Sequence, residues 1–280
     1  MQDAITAGRP EVIPFPPERT ATLDALRWAR KRLEVATLVE VDVTTARETI
    51  RAFRRRTGRG LSFTAWTVYC VARAAAEHPR VHALRGGRRK LFVFPEVDIA
   101  VIVERAIADG APGETLPMPC VIRNAHTKSP TEIHDEIRNA QNTDVRAGDV
   151  ALGQGPRPWQ RSLFFRLPAW CRDLVFWRRL FRNPLRVKDT MGTVVVSATG
   201  MAAPGVLAWG IPLSLHPLAV AVGGIARRPV PGGTASVLAL TVVFDHAVTD
   251  GAPVGRFIHR LHELMTRAEG LDVPGEARPA

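Results

Sequence analysis

The 280-residue sequence has no uninterrupted apolar run approaching the ~18 residues that a membrane-spanning helix needs, although 46% of its residues are apolar. Its first ten residues, Met1 to Pro10, offer neither a basic start nor an apolar stretch, so they do not read as a secretory signal. Cysteine is scarce: Cys70, Cys120 and Cys171 lie far apart, odd in number and without a CxxC pair. That pattern argues against a disulfide framework or a cysteine zinc site, and each thiol reads as a small buried hydrophobe. A cytoplasmic protein is the expectation. Also missing are a Walker loop, a dinucleotide fingerprint around either glycine pair, and a Gly-x-Ser-x-Gly elbow, which disfavours P-loop, dinucleotide-binding and serine-hydrolase chemistry. His259 and His262 stand three apart, but no carboxylate or cysteine at matching spacing completes a metal site, and no metal is expected.

Positive charge is what the chain has in excess. Lys and Arg number 38 against 27 Asp and Glu, a formal net charge of +11. Many of these residues lie in two stretches, Arg47 to Lys90 and Arg161 to Lys188. A basic surface attracts nucleic acid, anionic lipid or a phosphorylated cofactor, and is otherwise a solvated face. No zinc-finger spacing, RNA-binding aromatic signature or helix-turn-helix pattern supports nucleic acid, which is set aside.

Residues 1–17 are rich in Pro and read as an extended arm. Apolar periodicity predicts a helix from Glu18 to Leu33, and alternation predicts a strand from Thr37 to Val43. Thr44 or Thr45 should cap a helix through Phe53 that Gly58 and Gly60 end. Ser62 opens a helix from Phe63 to Glu77 that is apolar nearly all round and so belongs at the centre of the core. Lys90 to Phe94, Val97 to Val103 and Thr115 to Arg123 read as extended, and Thr131 to Gln141 as a polar helix. The last hundred residues are mostly strand: Gly192 to Ser197, Ala219 to Gly223 and Ser236 to Phe244, with Gly223-Gly224 and Gly232-Gly233 read as turns. A helix from Pro253 to Arg267 follows. This order suits an α+β sandwich of helices on a mixed, mainly antiparallel sheet. The expected organisation is one domain over 18–270, with an aromatic and basic insertion at about 142–190 and a flexible tail at 271–280. In that insertion bulky aromatics alternate with arginines from Leu163 to Phe181. It reads as a membrane-surface element, a lid, a subunit contact, or an amphipathic helix pair packed on its own domain.

The chemistry concentrates at the end of the last strand, in Phe244-Asp245-His246-Ala247-Val248-Thr249-Asp250-Gly251. His246 falls where a strand leaves the sheet, on a connection of the kind that carries function. Asp250 lies near the N-terminus of the final helix, where exposed N–H groups favour a carboxylate, and Gly251 allows a tight turn.

His246-Ala247-Val248-Thr249-Asp250-Gly251 resembles the His-x-x-x-Asp-Gly signature of chloramphenicol acetyltransferase and of the catalytic domain of the dihydrolipoyl acyltransferases of 2-oxoacid dehydrogenase complexes. The resemblance continues in Val39-Glu40-Val41-Asp42-Val43-Thr44, in the long helix from Leu61 to Pro79, in Val97 to Val103 and Pro119 to Asn124, and in Gly192 to Ser197 with Gly200-Met201. It covers most of Arg19 to Arg267 apart from about 142–190, and is closest to the complex acyltransferases. It implies a chloramphenicol acetyltransferase-like two-layer fold and acyl transfer between coenzyme A and a thiol, hydroxyl or amine acceptor. Carried over, His246 is the general base, a role suited to a side chain that titrates near neutral pH. Ser197 stabilises the tetrahedral oxyanion. Asp250 orients the catalytic loop with an arginine partner, for which Arg19 is the nearest positional match and Arg27 the alternative, while Gly251 completes the motif. Coenzyme A or acyl-CoA is then a substrate, with a small-molecule or carrier-bound acyl acceptor. The assembly implied is a homotrimer, or a larger assembly of trimers, with the site between subunits.

Three departures bear on the acceptor. No lipoyl domain or peripheral subunit-binding domain accompanies the catalytic region, so no lipoyl group is expected on this chain. Ala247 and Ala198 replace the Arg and the Asn that commonly follow the family's His and Ser. The insertion falls outside the shared pattern. A catalytically silent scaffold of the same fold is the competing reading, with an anionic membrane surface as a further partner compatible with either.

Overall fold

The computed structural model describes residues 12, 18–106, 115–143, 164, 166–200, 204–231 and 233–271. The expected arm at 1–17, the loop within the insertion, Met201, Gly232 and the tail beyond 271 lie wholly or largely outside them.

Helix α1 (Glu18–Ala29) leads into strand β1 (Glu34–Asp42). The helix ends four residues before Leu33 and the strand starts three before Thr37, because Glu34 to Ala36 pair with the far end of the last strand. Helix α2 (Thr44–Thr57) closes on Gly58, whose φ of 67° supplies the left-handed C-cap that glycine adopts without penalty. Helix α3 (Phe63–Glu77) opens on Ser62, whose hydroxyl accepts a hydrogen bond from the Ala65 amide. Strands β2 (Leu84–Gly86) and β3 (Lys90–Phe92) form a small hairpin, and β4 (Ile99–Ala106) pairs with β5 (Thr115–Ile122). Helix α4 (Pro130–Gln141) begins with a reciprocal Ser129–Glu132 capping box.

Within the expected insertion, the described residues form helix α5 (Ala169–Arg172), a π-helical turn (Asp173–Trp177), helix α6 (Arg178–Phe181) and helix α7 (Pro184–Met191). Strands β6 (Val194–Ala198), β7 (Leu218–Val230) and β8 (Gly233–Asp245) and helix α8 (Gly251–Thr266) complete the described chain.

The main sheet has six strands in the order β1-β8-β7-β6-β4-β5. Three neighbouring pairs are antiparallel, and the two flanking β6 are parallel. It is the mixed, mainly antiparallel sheet of an α+β fold. Val194 and Val196, Leu218 and Val220, and Leu240 and Val242 point to one face and pack with α2, α3, α4 and α8. The alternate residues Ala100, Val195, Ala219 and Val243 form a smaller cluster on the other face. As its all-round apolar character predicts, α3 lies at the centre, with Trp66 fully buried and its indole N–H donating to the Glu269 carbonyl at 2.9 Å.

Gly223-Gly224 is not a turn. The pair forms a bulge inside β7, where the register against β8 shifts between Val222 and Ile225. The reason is close approach: a Cβ on Gly224 would stand 1.7 Å from the Val206 carbonyl oxygen, and one on Gly223 would stand 2.2 Å from that of Ala208. Two glycines let the segment between β6 and β7 cross the strand.

The insertion packs on its own domain. Trp177 and Leu180 are buried with Leu84, Phe94, Val187 and Met191, and Phe181 stacks on Trp28 with ring centroids 4.9 Å apart. Arg172 is buried against Asp24 of α1, with Nε to Oδ2 at 2.6 Å and Nη2 to Oδ1 at 3.1 Å. The bidentate fork keeps both charges paired where neither meets water, so removing either partner would strand the other.

His82 is fully buried, and its Nδ1 lies 2.9 Å from the Thr193 hydroxyl. Burial lowers its pKa from the ordinary 6.5 to about 4, against the opposing pull of Asp98. An unfolded chain therefore binds this proton near pH 6.5 while the folded one resists it to about pH 4, so stability falls with acidification across that window. The shift corresponds to a loss on the order of 3 kcal/mol. Urea unfolding at stepped pH checks this: a His82→Leu variant should show a flatter dependence between those values than the parent.

Candidate active site

Strand β8 ends at Asp245, and the chain then turns over His246, Ala247 and Val248 before α8 begins. The turn is organised by the buried Asp245. Its Oδ1 accepts from the Ala247 amide at 3.0 Å, and its backbone carbonyl accepts from Val248 at 2.9 Å and Thr249 at 3.3 Å. Its Oδ2 lies 2.8 Å from Nη1 of Arg32, and Nη2 of the same guanidinium donates to the Leu215 carbonyl. Burial lowers the Arg32 pKa from its ordinary value, and the Asp245 carboxylate opposes that loss. The His246 amide donates to the Leu33 carbonyl at 2.8 Å, so the residues after α1 hold both the brace and the histidine backbone. The imidazole itself is half exposed.

Asp250 occupies the N-cap position of α8, but its side chain makes no capping hydrogen bond. It is 86% exposed and lies 3.8 Å from His246 Nδ1, near enough for electrostatic attraction and too far for a hydrogen bond. Arg19 is exposed on α1 with no ion pair to Asp250 among the described residues, and Arg27 pairs with Asp24 instead. Gly251 opens α8 outside the left-handed region, and a Cβ there would meet nothing within 4 Å. The glycine therefore does not carry the tightness of this turn. The Asp245 side chain does, and neither Asp245 nor Arg32 was singled out from sequence. The available signal was the position of Asp245 immediately before His246.

Ser197 stands on β6, half-buried, on the sheet face away from the helices. Its pairing register runs through Ala221 on β7 to Thr241 on β8, five residues before His246. At the rise of an antiparallel strand, Ser197 and His246 of one chain are separated by about 17 Å along β8 and by two further strand spacings of about 5 Å. A single chain does not bring them to one reacting atom.

Ala198 and Gly200, just past Ser197, line a cavity of about 560 Å³ on the helix face together with Arg47, Arg51 and Arg138. Arg47 donates to the Ser236 hydroxyl at 3.1 Å. Burial lowers its pKa from the ordinary value, and the neighbouring guanidinium groups of Arg51 and Arg227 lower it further. Crowded cations beside an open cavity make a receptacle for a polyanion. Among the described residues no three His, Cys, Asp or Glu side chains are grouped to hold a metal, and His259 lies instead 3.5 Å from Glu263.

A family model described as 2-oxoacid dehydrogenases acyltransferase (catalytic domain) matches residues 7–154. The fold is similar to that of a probable dihydrolipoamide acetyltransferase from Listeria monocytogenes, with 22% identity and a TM-score of 0.65 over 96% of this chain and 98% of that one. It is also similar to the cubic core of a pyruvate dehydrogenase multienzyme complex, with 18% identity and a TM-score of 0.66 over 97% of each chain. A truncated catalytic core of the 2-oxoacid dehydrogenase multienzyme complex from Thermoplasma acidophilum aligns at 18% identity, with a TM-score of 0.62 over 93% of this chain and all of that one. No curated protein matches the sequence.

The Asp245 brace predicts which arginine matters. Arg32→Leu should lower any His246-dependent turnover by roughly 10–100-fold through displacement of the turn, whereas Arg19→Ala should leave it within about twofold. Steady-state rates of the two variants, beside circular dichroism for folding, separate these outcomes. A large loss at Arg19 with none at Arg32 would reassign the brace.

Proposed function

The chain belongs to the acyltransferase (catalytic domain) family of 2-oxoacid dehydrogenases, and from that premise we propose that it moves an acyl group between coenzyme A and a thiol, hydroxyl or amine acceptor. The observation that carries this reading is an exposed His246 on a turn held rigid from behind by Asp245 and Arg32. A base must reach substrate, yet it must not move when the substrate binds.

His246 takes the proton of the acceptor as the acceptor attacks the thioester carbonyl. The resulting tetrahedral oxyanion is stabilised by the Ser197 hydroxyl, a contact that gains strength only as charge develops. Collapse of the intermediate breaks the carbon–sulfur bond, and the departing coenzyme A thiolate recovers the proton from the imidazolium. Arg47, Arg51 and Arg138, around the cavity bordered by Ala198 and Gly200, suit the phosphates of coenzyme A.

The separation of Ser197 from His246 within one chain supports an assembly in which the two residues meet across a subunit boundary, and a closed homotrimer satisfies that need three times over. The neighbour drawn from a cubic core is consistent with larger assemblies of such trimers.

Coenzyme A release from a panel of acyl-CoAs, with dihydrolipoamide and simple amine or hydroxyl acceptors, tests the reaction. His246→Ala should cut acceptor-dependent release by about 10²–10⁴-fold and Ser197→Ala by about 10²–10³-fold. Mixed assemblies of the two inactive variants test the shared site, since random trimers should recover about a quarter of the intact sites. Recovery of nothing would return both residues to one chain. No release with any donor and acceptor would favour a scaffold role.

A further inference from the structure

The outer side of the helical stretch from Ala169 to Phe181 carries large apolar side chains that the fold leaves in solvent. Trp170, Leu174 and Val175 are 69%, 57% and 59% exposed, while Trp177 on the same stretch is 1% exposed. At the pitch of an α-helix, residues seven apart stand within about 20° of one another. Trp170 and Trp177 would then share a face, and one could not be exposed while the other is buried. The π-helical turn at Asp173–Trp177 removes the conflict, because its wider winding retards every later residue. Arg172, Trp177 and Leu180 turn inward, and Trp170, Leu174 and Val175 turn outward with Arg178, Arg179 and Arg182.

The outer face is therefore apolar in its first half and basic in its second, with exposed Arg166 and Arg186 beyond its two ends. Asp173 is the acidic residue within the stretch, and its carboxylate is taken up by Trp28 at 2.7 Å and Arg178 at 2.9 Å. The face is also held in place from beneath, by the buried Arg172–Asp24 fork and by Phe181 stacked on Trp28. Docking it orders little that is not already ordered.

We propose that this face docks on an anionic lipid bilayer, lying in the headgroup region with Trp170, Leu174 and Val175 inserted and Arg178, Arg179 and Arg182 against lipid phosphates and carboxylates. A tryptophan beside arginines on one helix face matches the amphipathic boundary of a bilayer. Charge selects this occupant over a two-fold contact with a second copy of the chain, which would bring the same arginines against themselves. No helix among the described residues is long and apolar enough to cross a membrane, so the contact lies on the surface. Such docking is independent of acyl transfer, and these side chains stand outside the proposed site, so coenzyme A release by the variants below should be unchanged in solution.

Flotation of the full chain with vesicles of phosphatidylcholine alone, or of phosphatidylcholine with phosphatidylserine, tests this. Binding is expected to the phosphatidylserine vesicles at low salt and to fall at high salt. Arg178→Gln, Arg179→Gln and Arg182→Gln should each weaken partition by roughly fivefold, and the Trp170→Ser/Leu174→Ser/Val175→Ser triple should abolish it. Absence of binding by the parent at low salt overturns the proposal. So does retention that survives the serine triple, since the +11 net charge alone would then account for it. A fall in assembly mass of the serine triple by analytical ultracentrifugation would also overturn it, by making the face an interface between copies.

Discussion

The 2.8 Å contact between Arg32 and Asp245 joins the two ends of the fold. One partner follows the first helix and the other closes the last strand, 213 residues later. The carboxylate is nearly buried, so its charge requires the guanidinium, and its second oxygen is then free to fix the Ala247 amide. Backbone bonds from Leu33 and Pro217 complete the frame. Everything asked of His246 follows from this: a half-exposed ring on a connection that behaves as though it were core.

The same logic of buried charge recurs in the insertion. Arg172 enters the protein only because Asp24 meets it with two oxygens, and this fork secures the Ala169–Phe181 stretch to the first helix. Its inner face becomes a second, smaller core around Trp177. One π-helical turn then decides which aromatics join that core and which remain outside. An ordinary amphipathic packing and an exposed apolar-basic face are thus both present, on opposite sides of one helical stretch.

Placement in the sheet divides the chemistry. Ser197 lies mid-sheet on a parallel strand, beside the crossing segment that the Gly223-Gly224 bulge admits. His246 lies at the rim. The arginine-lined cavity is bordered by Ala198, next to the serine but on the opposite face of the sheet, and does not include the histidine. In the proposed reaction, Ser197 and His246 would act on one reacting centre only when another copy closes the distance between them.

Most of the architecture was legible in the sequence because local rules and burial agree there. Ser62 caps, Gly58 terminates, α3 is apolar all round, and the late strands alternate or run apolar. The motif at His246 marked the candidate site by residue type and position. What could not be read were pairings between distant residues. Arg19, Arg27 and Arg32 are indistinguishable as arginines on one helical segment, and only the docking of that segment on the end of β8 selects Arg32 for Asp245. Gly223-Gly224 signals a bend in either setting, and the approach of Val206 and Ala208 makes it a bulge. The outward turn of Trp170 depends on a backbone register set by the burial of Trp177, a tertiary constraint with no periodicity to announce it. The sequence by itself determined most of the elements, their layers and the chemical vocabulary of the site. Tertiary structure decided which charge answers which, because an ion pair is specified by proximity after folding and not by spacing along the chain.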